Sequence, residues 1–114
     1  MQLAAVLFAL AALGGLLMAG IRLSGTPRPP IWLALGHGVI AAGGLGTLGY
    51  AAATQSLPTV GLLALGGFIL AALGGATLLI AFHLQGKPLP IPLVIGHGLL
   101  AIASFVLLLV GIFQ

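Results

Sequence analysis

The side chains of this chain able to bind a metal or pass a proton near neutral pH come down to three histidines, because cysteine, aspartate and glutamate are absent. Two of them sit in the same local sequence, Gly36-His37-Gly38 and Gly96-His97-Gly98, sixty residues apart. A neutral imidazole offers a nitrogen lone pair to a metal. In an apolar setting its nitrogens need a partner, because leaving them unsatisfied costs on the order of several kcal/mol. The repeated histidine is therefore where function is to be sought.

The setting is apolar. Of 114 residues, 61% are hydrophobic and 3% charged, and no soluble domain of this size keeps its surface wet with three formal charges. The mean hydropathy of +1.38 makes the bilayer the solvent for most of the chain. The sequence pI near 11.0 reflects only Arg22, Arg28 and Lys87 set against no acids. Three cations are too few to track a phosphate backbone, so nucleic acid is not expected as a partner, and they read instead as topology signals. Without cysteine there are no disulfides, thiolate metal sites or thiol catalysis. Without carboxylates there are no glycosidase acid pairs, Ser-His-Asp triads, Mg²⁺ or Ca²⁺ sites or carboxylate proton relays. The chain is not expected to be an enzyme working through its own side chains.

Apolar runs divided by polar or proline-rich punctuation predict four spans, residues 3–23, 30–53, 57–84 and 90–113. Each is near the ~20 residues that cross ~30 Å of hydrocarbon, and the third, the longest, is expected to tilt or reach the interface. The first span lacks a basic leader and its pattern returns in mid-chain, so it reads as a retained helix rather than a signal peptide. Pro30 and Pro90 suit a first helical turn, and the short connections at 24–29, 54–56 and 85–89 force antiparallel neighbours.

The halves read as copies. Leu10-Ala11-Ala12-Leu13-Gly14-Gly15 returns as Leu70-Ala71-Ala72-Leu73-Gly74-Gly75, and Pro30-Ile31, Leu33 and Ala41 return as Pro90-Ile91, Leu93 and Ala101. The loops match after a one-residue shift, Arg22-Leu23-Ser24-Gly25-Thr26-Pro27 against His83-Leu84-Gln85-Gly86-Lys87-Pro88. The expected fold is an all-α integral membrane protein, one domain over 1–114. It is a four-transmembrane-helix bundle built from two tandem parallel helical-hairpin repeats, 1–54 and 57–114. Two spans per repeat imply a pseudo-twofold along the membrane normal, with His37 and His97 at one depth, about 10 Å from one face. The cations and His83 cluster at the first and third loops. This predicts those loops as cytoplasmic and both termini as non-cytoplasmic, in a prokaryotic inner membrane.

Counting turns puts Gly14 and Gly15 level with His37, and Gly74 and Gly75 level with His97. Opposed imidazoles at one depth, beside helices stripped of side-chain volume, suit a flat macrocycle held by two axial ligands. The sequence therefore predicts a b-type haem on His37 and His97. Gly14, Gly15, Gly74 and Gly75 clear its level, and Gly36, Gly38, Gly96 and Gly98 let its edge approach the backbone. Propionates would emerge toward Arg22, Arg28, Lys87 and His83. The competing reading is a cofactor-free structural subunit of a respiratory or photosynthetic complex. In it each histidine bonds Thr47, Thr77, Ser104 or a backbone carbonyl, and the series Gly38, Ala42, Gly46 and Gly67, Ala71, Gly75 serve close helix contact. A further reading gives each histidine its own (bacterio)chlorophyll magnesium. Copper or zinc lacks a third ligand, and a carrier would need acidic coupling residues and broken spans.

Arg22 is expected to snorkel to the interface, His83 to sit there too, and Trp32 and Tyr50 to anchor opposite faces. Thr47 and Thr77 are expected to bond back to their own helices. The layout is similar to that of small four-helix b-type cytochromes, which hold haem between histidines of different spans. That similarity is one of architecture and assigns no residue. With almost no polar mass outside the bilayer, any electron donor or acceptor must be another membrane subunit, a second copy of the chain or a lipid-soluble quinone.

Overall fold

The computed structural model describes residues 1–114 and is all-helical. Its helices are α1 Gln2–Leu23, α2 Ile31–Thr54, α3 Thr59–Thr77 and α4 Ile91–Phe113, and α3 continues through a six-residue π-helical segment, Leu78–His83. With that segment α3 is a 25-residue rod, and all four helices are long and apolar enough to cross a membrane. They pack into a bundle 43 Å long, α1 lying along α2 and α3 along α4, with α1–α4 and α2–α3 closing the square. The histidine-bearing helices α2 and α4 therefore lie on one diagonal.

Proline and glycine set the helix boundaries. Pro30, Pro58 and Pro90 each immediately precede a helix, their fixed φ leading the chain in. Pro30 and Pro90 thus stand one residue before the first turn, not in it. Gly25 and Gly86 end the preceding helices with φ of 112° and 70°, a region where a Cβ is strained. Each glycine allows the amide beyond it to reach back: Thr26 N to Ile21 O at 3.3 Å and Lys87 N to Phe82 O at 2.9 Å.

The π segment falls where the match between the loops shifts by one residue. Gly15 and Gly75 are sixty residues apart but Arg22 and His83 are sixty-one. An inserted residue is accommodated in a helix by widening one turn, and here the Leu84 N–H bonds Leu79 O, five residues back, at 2.8 Å. The loop that follows is one residue shorter, so Pro30 and Pro90 are again sixty apart.

The core is confined to the end that holds both termini and the loop around Gln55. Ala4, Phe8, Leu48, Ala64, Phe68 and Leu108 form it, with the Phe8 and Phe68 rings stacked at 3.6 Å between centroids. A Cβ at Gly44 would lie 3.1 Å from the Phe8 ring, so this glycine makes room for the aromatic. Toward the other end nothing on α1 beyond Ala11, on α2 before Gly44 or on α4 before Ser104 is buried, and on α3 only Leu78 is buried beyond Ala71.

That other end is laced shut across the two hairpins. Arg22 Nε donates to Leu89 O at 2.8 Å, and His83 Nε2 donates to Pro29 O at 2.8 Å. Arg28 Nη1 donates to Gly86 O, and the Leu89 amide to Pro27 O at 3.1 Å. Pro29 and Leu89, which present the accepting carbonyls, are buried.

Candidate functional site

Between the aromatic stack and the laced loops lie His37 and His97, both half-buried. His37 Nδ1 is 2.7 Å from Ala11 O on α1, and His97 Nδ1 is 2.7 Å from Ala71 O on α3. A carbonyl oxygen only accepts, so each Nδ1 carries the hydrogen, and in the neutral ring the lone pair available to a ligand is on Nε2. Neither Nε2 makes a hydrogen bond within the chain. Each accepting carbonyl belongs to a helix and uses its second lone pair.

One turn beyond each carbonyl a glycine receives the ring. A Cβ on Gly15 would come 3.1 Å from His37 Cε1, and one on Gly75 would come 3.1 Å from His97 Cε1. Gly14 and Gly74 lie beside the same rings, their would-be Cβ atoms 3.8 Å from His37 Cβ and 3.6 Å from His97 Nδ1. An added methyl at Gly15 or Gly75 would push its imidazole by a few tenths of an ångström, so the ring positions depend on the missing side chains. The two imidazoles lie 6.2 Å apart between centroids with their planes at 80°.

The glycines flanking the histidines in sequence do not touch the rings. A Cβ at Gly36, Gly38, Gly96 or Gly98 would meet nothing within 4 Å. The two small-residue series also part company. Gly67 packs against Ser104 and Gly75 against His97, on the α3–α4 seam. Gly38 and Gly46 face open space, so the series on α2 is no contact inside the bundle, a correction to the sequence reading. An outward stripe and an inward one have the same spacing, and only the helix's rotation in the bundle separates them.

The hydroxyls offered as histidine partners bond elsewhere. Thr47, Thr77 and Ser104 each donate to the carbonyl four residues back in their own helix, at 2.6, 2.8 and 2.8 Å. The backbone supplies the histidine partners instead. Arg22 and His83 stand at the helix ends as the sequence implied, but each spends a nitrogen on the opposite hairpin. His83 Nε2 is therefore committed to Pro29 O. The sequence clue to that lacing was the pairing of a basic residue at the end of α1 and α3 with a proline-bounded carbonyl before α4 and α2.

No group of three or more metal-ligating side chains gathers anywhere. Comparison with protein-family models, with curated proteins and with solved structures finds no match to this chain.

Proposed function

We propose that His37 and His97 are the axial ligands of one b-type haem, and that the chain is a small electron-transfer or accessory subunit of a membrane complex. The observation that carries this reading is the 6.2 Å between ring centroids, with each Nδ1 tied to a carbonyl. Metal–imidazole bonds of about 2.0 Å, with about 1.1 Å from nitrogen to ring centre, put two opposed ligands of one metal about 6 Å apart. The hydrogen bond on the far side of each ring is the usual means of orienting a metal-binding imidazole and raising its basicity. Six-coordinate iron of this kind passes single electrons without changing its ligands.

The cofactor-free reading draws on the same Nδ1 bonds, which satisfy half of each imidazole, and leaves each Nε2 unbonded within the chain but not fully buried. A pair of chlorins, one per histidine, would add a van der Waals spacing of about 3.5 Å between the two rings and needs a wider gap.

The hairpins 1–54 and 57–114 we take as tandem parallel repeats. Two hydrogen bonds that each span twenty-six residues, together with the matching glycine contacts, support that relation. The loops holding Arg28 and Lys87 we place on the cytoplasmic side of a prokaryotic inner membrane. Reporters fused at Gln114 should then signal the outside and reporters inserted at Gly86 the cytoplasm, and the reverse pattern would invert this orientation. Electrons arrive from, and leave to, another subunit, a second copy or a quinone.

The deciding experiment is the visible spectrum of the purified protein, oxidised and then reduced. Sharp reduced bands of a low-spin haem are expected. Far-red or near-infrared bands would transfer the site to chlorins, and a colourless sample from a haem-replete host would leave the structural role.

A further inference from the structure

The loop end carries all of the chain's side-chain fixed charge, and part of it is shaped into a cleft of about 640 Å³ between the first loop and the end of α3. Thr26, Arg28 and His83 line it, beside an apolar wall that includes Ile21, Pro30 and Ile31. Several of its backbone acceptors are in use. Ile21 O receives the Thr26 amide and the Ser24 hydroxyl, Pro27 O the Leu89 amide, Pro29 O the His83 ring, and Pro30 O the amides of Leu33 and Ala34. Free donors remain beside them: the Thr26 hydroxyl and the guanidinium of Arg28 beyond its one bond to Gly86 O. No side-chain carboxylate exists in the chain to compete for them.

We propose that this cleft holds the phosphate of an anionic phospholipid, with Arg28 supplying charge and hydrogen bonds, Thr26 a hydroxyl, and Ile21 and Ile31 the surface for an acyl chain. A guanidinium matches phosphate oxygens in a planar fork. The lipid, rather than free phosphate, is indicated by the apolar half of the lining and by the position of the cleft at the end of helices of membrane length, where headgroups lie. Trp32, 71% exposed and next to Ile31, marks the same interface. This assignment does not depend on the haem.

Trp32 is the only tryptophan and follows the cleft-lining Ile31 in sequence, so its fluorescence reports without a label on lipid at this end of the bundle. The protein is placed in phosphatidylcholine bilayers doped with equal fractions of brominated phosphatidylglycerol or, in the parallel sample, brominated phosphatidylcholine, and quenching is compared. The anionic lipid is expected to be preferred about fivefold, the effect of one basic residue near an anionic surface. Arg28→Gln should abolish the preference, Arg28→Lys and Lys87→Gln should retain it, and high salt should weaken it. Arg28 also ties the loops together, so Thr26→Val is the companion variant, expected to lower the preference about threefold through one lost hydrogen bond. Equal quenching by the two lipids, or a preference that survives Arg28→Gln, overturns the proposal. Competition by inorganic phosphate as effective as that of the lipid would show a free-anion site instead. An altered tetrapyrrole spectrum in Arg28→Gln with lipid preference intact would give the cleft to a propionate.

Discussion

The same four helices build two unlike halves. Toward the termini, Phe8, Phe68, Leu48 and Leu108 interdigitate, and Gly44 exists to admit a phenyl ring. Toward the loops, Gly15 and Gly75 admit imidazoles, and the side chains around them stay half-buried or exposed. Glycine plays the same steric part in both places, so what differs is the guest. Helices in lipid associate through close packing rather than escape from water. The half closed by its own aromatics therefore carries the buried core, while the other half is joined at its end by hydrogen bonds between the hairpins.

That division can be broken most sharply at the histidines. His37→Ala and His97→Ala are each expected to abolish the low-spin six-coordinate spectrum entirely, since iron keeps at most one axial nitrogen. His83→Ala should leave it intact. A six-coordinate spectrum surviving either of the first two changes would remove that residue from the ligand set.

Phe68→Ala tests the other half. It should lower stability by about 3–5 kcal/mol, as aromatic truncations in packed cores do, read from denaturant unfolding in micelles. A negligible loss would mean that the buried core of the terminal half does not stabilise the bundle.

Gly15→Leu and Gly75→Leu come next, at about 1–3 kcal/mol of overpacking, and they should also expel a bound ring. Unchanged assembly and spectra in both would place these glycines away from the ligand level. The smallest effect belongs to Gly46→Leu, expected within about ±0.5 kcal/mol because a Cβ there meets nothing. A clear destabilisation would reveal a contact on that face.

Much of this was legible in the sequence, and the reasons are specific. Four apolar runs, with Pro30 and Pro90 opening the second and fourth, give four helices because a bilayer leaves the backbone few alternatives. Counting turns puts Gly15 beside His37 because rise per residue is nearly constant. Rotation about the helix axis was harder to read. The stripe Gly38, Ala42, Gly46 has the spacing of a contact and no contact, since the hydrophobic pattern that orients a helix in water is nearly absent when both faces are apolar. The shifted loop match hinted at an insertion but not at where it would be absorbed. The structure has a π segment at this place, Leu78–His83.

Each imidazole is set by a carbonyl and a glycine of its own hairpin, Ala11 and Gly15 for His37, Ala71 and Gly75 for His97. Neither half-site needs the other hairpin to be complete. The distance between the two rings is then decided by how one hairpin docks on the other, as the opening of a caliper is decided by its pivot and not by its jaws. The bonds Arg22 to Leu89 and His83 to Pro29 span that joint, about two turns away from the rings. Substitutions in the loops thus have a route to the gap between the rings, while leaving both histidines and their immediate neighbours untouched.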